Sequence, residues 1–257
     1  MGTIIDGFKC AKNTREKHLA ILIDPDKITI PELDPLFDLI HHSRVHYVFI
    51  GGSLLTGTQF SETIEVIRSK TTLPIILFPG SIYQISEHAD AILFLSLISG
   101  RNADLLIGKH VEAVPLLIQS KLEIIPTGYI LVDGGVNTTV SYISNTFPIP
   151  ADKAEIAKCT ALAGQYLGLQ TMYLDSGSGA LNPVNKKMIQ SVASSVSVPL
   201  IVGGGIRTPQ MVFDAAFAGA DIVVIGNVLE KTPGKLIELS SALEDAYNSA
   251  QVEYQNK

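Results

Sequence analysis

Short apolar runs recur along the whole chain: Leu19–Ile23, Tyr47–Ile50, Ile75–Phe78, Ala91–Leu95, Tyr129–Val132, Thr171–Leu174, Leu200–Val202 and Ile222–Ile225. They are rich in Ile, Val and Leu and do not alternate with polar residues. That is the pattern of parallel strands covered on both faces. Segments of helical period lie between them. Residues 183–196 put Val184, Met188, Ile189, Val192, Ala193 and Val196 on one face, with Asn182 as N-cap and Pro183 as first helical residue. Thr208-Pro209 repeats that start signal, Gly219 marks the following stop, and residues 151–167 form another helix apolar enough to pack. This βα alternation predicts a parallel sheet with right-handed crossovers. Eight units in 257 residues match a closed (β/α)8 TIM barrel, which typically takes about 250, as one domain over residues 1–257. The least regular stretch is the polar, turn-rich segment 133–150. Loops of that length are usually functional or mobile.

Composition narrows the class. The chain is 46% hydrophobic and 17% charged, which suits one well-packed globular core. Its formal net charge of −6 comes without a basic block, so the electrostatic footprint of a nucleic-acid binder is missing. A phosphate site in such a chain has to be built locally, from backbone N–H groups or bound metal. Cys10 and Cys159 are too few for a disulfide framework and read as small apolar residues in a reducing compartment. No signal peptide is read at residues 1–6, and apolar runs stop short of the roughly 18 residues of a membrane span. A soluble, cytoplasmic protein is expected.

In this barrel the active site is built from the loops leaving the C-terminal strand ends. Nearly every run here ends in Gly, Ser or Asp: Asp24-Pro25-Asp26-Lys27, Gly51-Gly52-Ser53, Pro79-Gly80-Ser81, Ser96, Asp133-Gly134-Gly135, Asp175 to Gly179, Gly203-Gly204-Gly205 and Gly226-Asn227. Turns need such residues anyway. The concentration of glycine after strands six, seven and eight goes further. Glycine lets backbone N–H groups approach a phosphate, and the helix beyond presents its positive end. Asp24 and Ser53 end neighbouring strands. As an oxygen-rich pair they suit Mg2+ holding a diphosphate, whereas Asp24 taken alone reads first as a cap of its own turn. Asp175 sits among the phosphate-binding glycines, an electrostatically awkward place for a carboxylate, and can accept a proton from a substrate hydroxyl. Tyr173 points the same way or fills the barrel. Asp26 and Lys27 read as a solvated turn pair and Arg207 as a turn cap. The six histidines have no metal-ligand spacing and fall in helical or loop segments.

Taken in order, Ile21-Leu22-Ile23-Asp24-Pro25-Asp26-Lys27, Gly51-Gly52-Ser53, Tyr173-Leu174-Asp175-Ser176-Gly177-Ser178-Gly179-Ala180, Gly203-Gly204-Gly205-Ile206 and Ile225-Gly226-Asn227 resemble the geranylgeranylglyceryl phosphate synthase family. The Asp-Pro-Asp-Lys start and the long loop after strand five resemble its second group. The resemblance implies a homo-oligomeric, Mg2+-dependent prenyltransferase. Its substrates would be sn-glycerol 1-phosphate, reacting at the C3 hydroxyl, and a polyprenyl diphosphate such as geranylgeranyl diphosphate; pyrophosphate would be released. Carried over by position, Asp24 and Ser53 hold the metal, and Tyr173, Leu174, Asp175, Ser176, Gly177, Ser178, Gly179, Gly204, Gly205, Gly226 and Asn227 hold glycerol phosphate. Asp175 and Tyr173 are the catalytic candidates; Phe78, Leu95 and Leu97 are candidate walls for the prenyl tail. Two positions depart from the family pattern. Asp175 stands where Glu is usual, and a misplacement of about 1 Å costs on the order of 100-fold. Ile23 stands where one group has a phosphate-binding Lys, a contact that is then lost or supplied by another cation such as Lys27.

Two alternatives share the fold. A phosphoribosyl-type isomerase would use Asp24 and Asp133 as its acid pair, with a second phosphate cluster in the loops after strands three and four. A non-catalytic barrel would bind a phosphate metabolite or lipid diphosphate without turning it over.

Overall fold

The computed structural model describes residues 3–255. Its eight parallel strands close in chain order: β1 His18–Ile23, β2 Tyr47–Ile50, β3 Ile75–Leu77, β4 Ala91–Leu97, β5 Glu123–Leu131, β6 Thr171–Asp175, β7 Leu200–Gly203 and β8 Ile222–Ile225. Strand β1 pairs with β2 through Ala20↔Tyr47 and with β8 through His18↔Ile222, which completes the ring. Every predicted strand is present, because each is apolar on both faces. Ala20, Phe49, Ile76, Leu93, Ile125, Tyr173, Ile201 and Val224 fill the barrel. Their neighbours Ile21, Ile50, Leu77, Ile92, Leu174, Val202 and Ile225 pack outward under the helices.

Helices α2 Ile30–His41, α3 Phe60–Lys70, α4 Lys109–Ser120, α5 Thr139–Ser144, α6 Ala154–Tyr166, α7 Lys186–Ala193, α8 Pro209–Phe217, α9 Asn227–Lys231 and α10 Leu236–Gln255 follow the strands. The Thr208 side chain accepts from Met211 N–H and starts α8 as expected. Three boundaries differ from the sequence reading. Helix α7 is capped by Asn185, whose Oδ1 accepts from Met188 N–H at 3.0 Å; the backbone N–H of Asn182 instead donates to Gly134 O and ties two loops together. Strand β5 begins six residues early, at Glu123, because Pro126 and Gly128 read as breakers, yet Pro126 O still accepts from Gln170 N–H at 2.8 Å. The 133–150 segment is more ordered than its composition implies, since it holds α5 and a Val132↔Ile149 bridge. Cys10, on the N-terminal helix Ile4–Thr14, and Cys159, on α6, are exposed rather than packed as small apolar groups.

Two departures from a regular barrel shape the site. Helix α1, Ile4–Thr14, crosses the N-terminal mouth, which no sequence signal indicated. Its Phe8 is fully buried and meets Tyr47 edge-on at 5.0 Å, and the Glu123 carboxylate accepts from the otherwise orphaned N–H groups of Ile4 and Ile5 at 2.7 and 2.8 Å. The other departure is a missing helix: residues 78–90, between β3 and β4, contain none. The outer face of β4 therefore lacks its usual cover.

At the closed end, His18 opens β1, which corrects the reading that placed the histidines in helices and loops. Its ring stacks on His46 at 4.2 Å. Tyr47 OH lies 3.0 Å from His18 Nδ1, and His46 Nδ1 accepts from Leu19 N–H at 3.1 Å. Burial pushes both imidazoles down from 6.5 to about 4. The folded state holds them neutral, whereas the unfolded chain protonates them below about 6.5. Their contribution is thus fully present above that pH and is lost as pH falls toward 4. Thermal melts between pH 7 and 4 should show the midpoint falling through this window, and His18→Phe, which keeps the stacked ring, should flatten the dependence.

Candidate active site

A cavity of about 520 Å³ opens at the C-terminal mouth, within the usual range for small-molecule sites. It touches both faces of β4. Leu93, Leu95 and Leu97 line it from the barrel interior, and Ile92 and Phe94 line it from the outer layer. Ile82 and Ile85 of the helix-free segment and Ala113 of α4 close the outer part. The cavity therefore runs from the barrel top into an apolar groove where a helix would otherwise pack. Phe78, Leu95 and Leu97 line it as expected while also packing in or against the barrel core.

The glycine-rich ends of β6, β7 and β8 form one wall. Tyr173, Asp175, Ser178, Gly179, Gly204, Gly205, Gly226 and Asn227 all line the cavity. Ser178 Oγ donates to Asn227 Oδ1 at 2.9 Å and joins the first glycine turn to the last. Leu174, Ser176 and Gly177 do not line it. Leu174 points into the outer core because side chains alternate along a strand, Ser176 is buried with its hydroxyl unpartnered, and Gly177 N–H is taken by Asp175. Gly204 needs to be glycine: its φ is +78°, and a Cβ would lie 2.3 Å from Asp175 Oδ1.

Asp175 is buried directly beneath that turn. Tyr129 OH donates to its Oδ2 at 2.6 Å and Gly177 N–H to its Oδ1 at 2.7 Å. Burial raises the carboxyl above the usual range, and these two donors pull it back. Tyr129 and Tyr173 are pushed far above an ordinary phenol, first by burial and then by the Asp175 charge. Both stay protonated, so neither is a base. Phe78 stacks on Tyr173 at 5.0 Å and Tyr129 meets Tyr173 edge-on at 5.6 Å, forming an aromatic floor. Tyr129 is the residue that sequence reading missed. It stands two positions below the strand end, and only its long ring brings the hydroxyl up to Asp175.

The adjoining wall, after β1, β2 and β8, carries Asp24, Ser53, Lys27 and Glu230. Gln84 clamps the β2 turn: its Oε1 accepts from Gly52 and Gly80 N–H, both at 3.2 Å, and its Nε2 donates to Gly52 O at 2.8 Å. That clamp fixes the turn in which Gly52 lies against the Asp24 carboxylate and Ser53 follows on the cavity wall. Asp24 also caps its own turn, accepting from Asp26 N–H at 3.2 Å, so the capping reading of it holds. Asp26 and Lys27 are both exposed in the turn, as expected, but each also has a partner. Asp26 accepts from Thr56 and Gly57 and fastens that loop, while Lys27 turns inward, with its Nζ 2.6 Å from Asp24 Oδ2 and 3.9 Å from Glu230 Oε1. Burial raises the Glu230 carboxyl, Lys27 lowers it and Asp24 raises it further. No cluster of three His, Cys, Asp or Glu able to hold a metal exists among the described residues. One carboxylate, one hydroxyl and substrate oxygens are nevertheless a donor set that Mg2+ accepts, and the Lys27 ammonium already marks the place as one that attracts a cation.

Two other expectations are resolved. Arg207 donates to Leu181 O at 3.4 Å, a turn-capping role, while its side chain lines the cavity. Asp133 accepts from Gly135 N–H at 2.8 Å within its own turn and is absent from the cavity wall, so the acid pair an isomerase would need is not assembled.

The PcrB family model matches residues 11–243. A geranylgeranylglyceryl phosphate synthase of Spirosoma linguale is 50% identical over 243 residues, covering 95% of this chain and 96% of that one. The synthase of Chitinophaga pinensis is 48% identical with the same coverage. Among solved structures, (S)-3-O-geranylgeranylglyceryl phosphate synthase from Thermoplasma acidophilum, in complex with its substrate sn-glycerol-1-phosphate, superposes with a TM-score of 0.85 at 33% identity, over 97% of this chain and 99% of that one. With the ordered strand-end residues gathered around one cavity and similarity along nearly its whole length, this chain belongs to the PcrB family, that of the geranylgeranylglyceryl phosphate synthases.

Proposed function

We propose that this enzyme joins the C3 hydroxyl of sn-glycerol 1-phosphate to a polyprenyl diphosphate, geranylgeranyl diphosphate being the reference case, with release of pyrophosphate. One observation carries the reading. A single cavity runs from a glycine-lined phosphate wall, past a buried carboxylate, to an apolar groove on the outer face of β4. A polar phosphate at one end and an alkyl chain at the other is the shape of this substrate pair. The same observation speaks against the isomerase, whose second phosphate would have to lie where Ile82, Ile85, Ile92 and Phe94 make the wall apolar.

The chain's own residues then divide the work. The turns at Ser178-Gly179, Gly204-Gly205 and Gly226-Asn227 take the phosphate of glycerol phosphate with backbone N–H groups, with Tyr173 beneath them; Leu174, Ser176 and Gly177 shape that wall from behind it. Asp175 accepts the proton of the attacking hydroxyl, and its burial makes it a stronger base than an exposed aspartate. Tyr129 OH and Gly177 N–H hold the carboxylate in position. The arm one methylene shorter than the family's usual Glu is matched by the close approach of the Gly204 turn to Oδ1. Asp24 and Ser53 would hold Mg2+. When bound there, the metal would supply charge neutralisation for the pyrophosphate leaving group. Lys27 and Arg207 remain at the rim to balance phosphate charge. No described helix is long and apolar enough to cross a membrane.

The surface also favours a homo-oligomer. Ile107, Val111, Val114 and Ile118 form an exposed apolar stripe along α4 and the turn before it, spaced four, three and four residues apart. That spacing suits packing against another helix.

Three measurements test these readings. Incubation with Mg2+, labelled sn-glycerol 1-phosphate and prenyl diphosphates of several lengths should give a lipid-extractable product; EDTA, or Asp175→Asn, should abolish it while glycerol phosphate still binds. Lack of product at every chain length would leave a binding protein only. Tyr129→Phe removes a donor that lowers the Asp175 pKa, so the acid limb of the pH–rate profile should move to higher pH, with the rate at its optimum reduced. Light scattering should find more than one copy per particle in the wild type and a smaller particle in Val111→Glu/Ile118→Glu.

A further inference from the structure

The cations lining the cavity are Lys27, Lys109, and Arg207. Lys109 pairs with Glu112 on its own helix at 2.8 Å, and Arg207 is engaged with Leu181 O. Lys27 differs, since the groups in hydrogen-bond or ion-pair reach of its ammonium all line the cavity. Asp24 Oδ2 is 2.6 Å away, Ser178 Oγ accepts at 3.5 Å, and Glu230 Oε1 lies at 3.9 Å. Lys27 thus spans the gap between the carboxylate assigned to the metal and the serine of the phosphate turn. Asp24 and Glu230 share this one ammonium, and their side chains are only 14% and 16% exposed.

That arrangement cannot persist in the loaded site. A divalent ion on Asp24 and an ammonium 2.6 Å from its oxygen repel each other and compete for the same lone pairs. The displaced ammonium has two neighbours to turn to. Glu230 offers charge, and the phosphate turn at Ser178 offers an anion once glycerol phosphate is bound. Resting on the assignment of Mg2+ to Asp24 made above, we propose that Lys27 is a movable counter-ion and Glu230 its tether. Lys27 neutralises Asp24 in the empty site and transfers to the substrate phosphate, so that binding of glycerol phosphate releases Asp24 for the metal. Glu230 is a positioning residue, acting through Lys27. By linkage the effect is reciprocal: metal and glycerol phosphate each tighten the other's binding by the same factor.

The test is direct binding to the full chain, with no turnover required. Mn2+ stands in for Mg2+ and is titrated by electron paramagnetic resonance with and without sn-glycerol 1-phosphate. Wild type should bind Mn2+ roughly tenfold more tightly with the phosphate present, within the usual range of coupling factors. Lys27→Gln should bind Mn2+ alone several-fold more tightly than wild type and bind glycerol phosphate about tenfold more weakly, and its coupling should shrink to about twofold or less. Lys27→Arg should restore part of the coupling, which separates lost charge from lost packing. Glu230→Gln should weaken coupling in the wild type and leave Lys27→Gln unchanged. Full coupling in Lys27→Gln overturns the counter-ion role. An equal loss of Mn2+ affinity on Glu230→Gln in both backgrounds makes Glu230 a direct partner of the ion and overturns the tether. If wild type binds no Mn2+ even with glycerol phosphate present, the metal assignment itself falls, an outcome distinct from the other two.

Discussion

A carboxylate buried in a barrel top has to be held by donors, and the upper half of this structure is arranged around that requirement. Taking a charge out of water is costly unless hydrogen bonds replace the lost hydration. Asp175 receives two, from Tyr129 OH below and Gly177 N–H above. The first demands a tyrosine on β5 at a register that brings its ring under β6, provided by the Tyr129↔Tyr173 pairing. The second demands that the chain fold back over the carboxylate. The close approach of β7 at Gly204 then leaves no room for a Cβ. Glycine wall, aromatic floor and buried carboxylate are therefore one packing solution.

Charge is distributed over the mouth with the same economy. The protein is acidic overall, and the β1–β8 side of the cavity carries two half-buried carboxylates facing one ammonium. Beside it, the glycine wall relies on tight turns and on a serine–asparagine contact. If the site takes the two phosphorylated substrates proposed above, so few fixed cations leave positive charge to be supplied by a bound ion, by a side chain that can relocate, or by both. Lys27 is placed for the second, since its ammonium reaches both walls.

The barrel's two irregularities are complementary. Helix α1 seals the N-terminal mouth with Phe8 and borrows Glu123 to satisfy its first N–H groups. The helix-free segment 78–90 leaves the outer face of β4 open. An unfilled gap in a packed shell would cost cohesion. Here it is lined by Ile82, Ile85, Ile92 and Phe94, side chains that an alkyl chain can cover in place of a helix.

The sequence by itself determined the barrel and the order of its strand ends. Residues apolar on both faces, each run closed by Gly, Ser or Asp, admit few other folds, and the glycines of the phosphate turns are visible because close backbone approach permits no other residue. Asp24, Ser53 and Asp175 were legible for the same reason: they sit at strand ends, where chain position fixes location. Tyr129, Glu230 and Gln84 were not, and Lys27 was visible only as a substitute cation, without its partners. Each acts through the reach of a long side chain from an element whose own pattern reads as core, turn, short helix or loop, and where the far end of such a side chain lands depends on contacts distant in sequence. The missing helix was half visible, since thirteen residues between β3 and β4 leave little length for a helix and two loops. Only the closed barrel decided that the gap joins the phosphate wall in one cavity, because that continuity depends on how eight strands lean together rather than on any single segment.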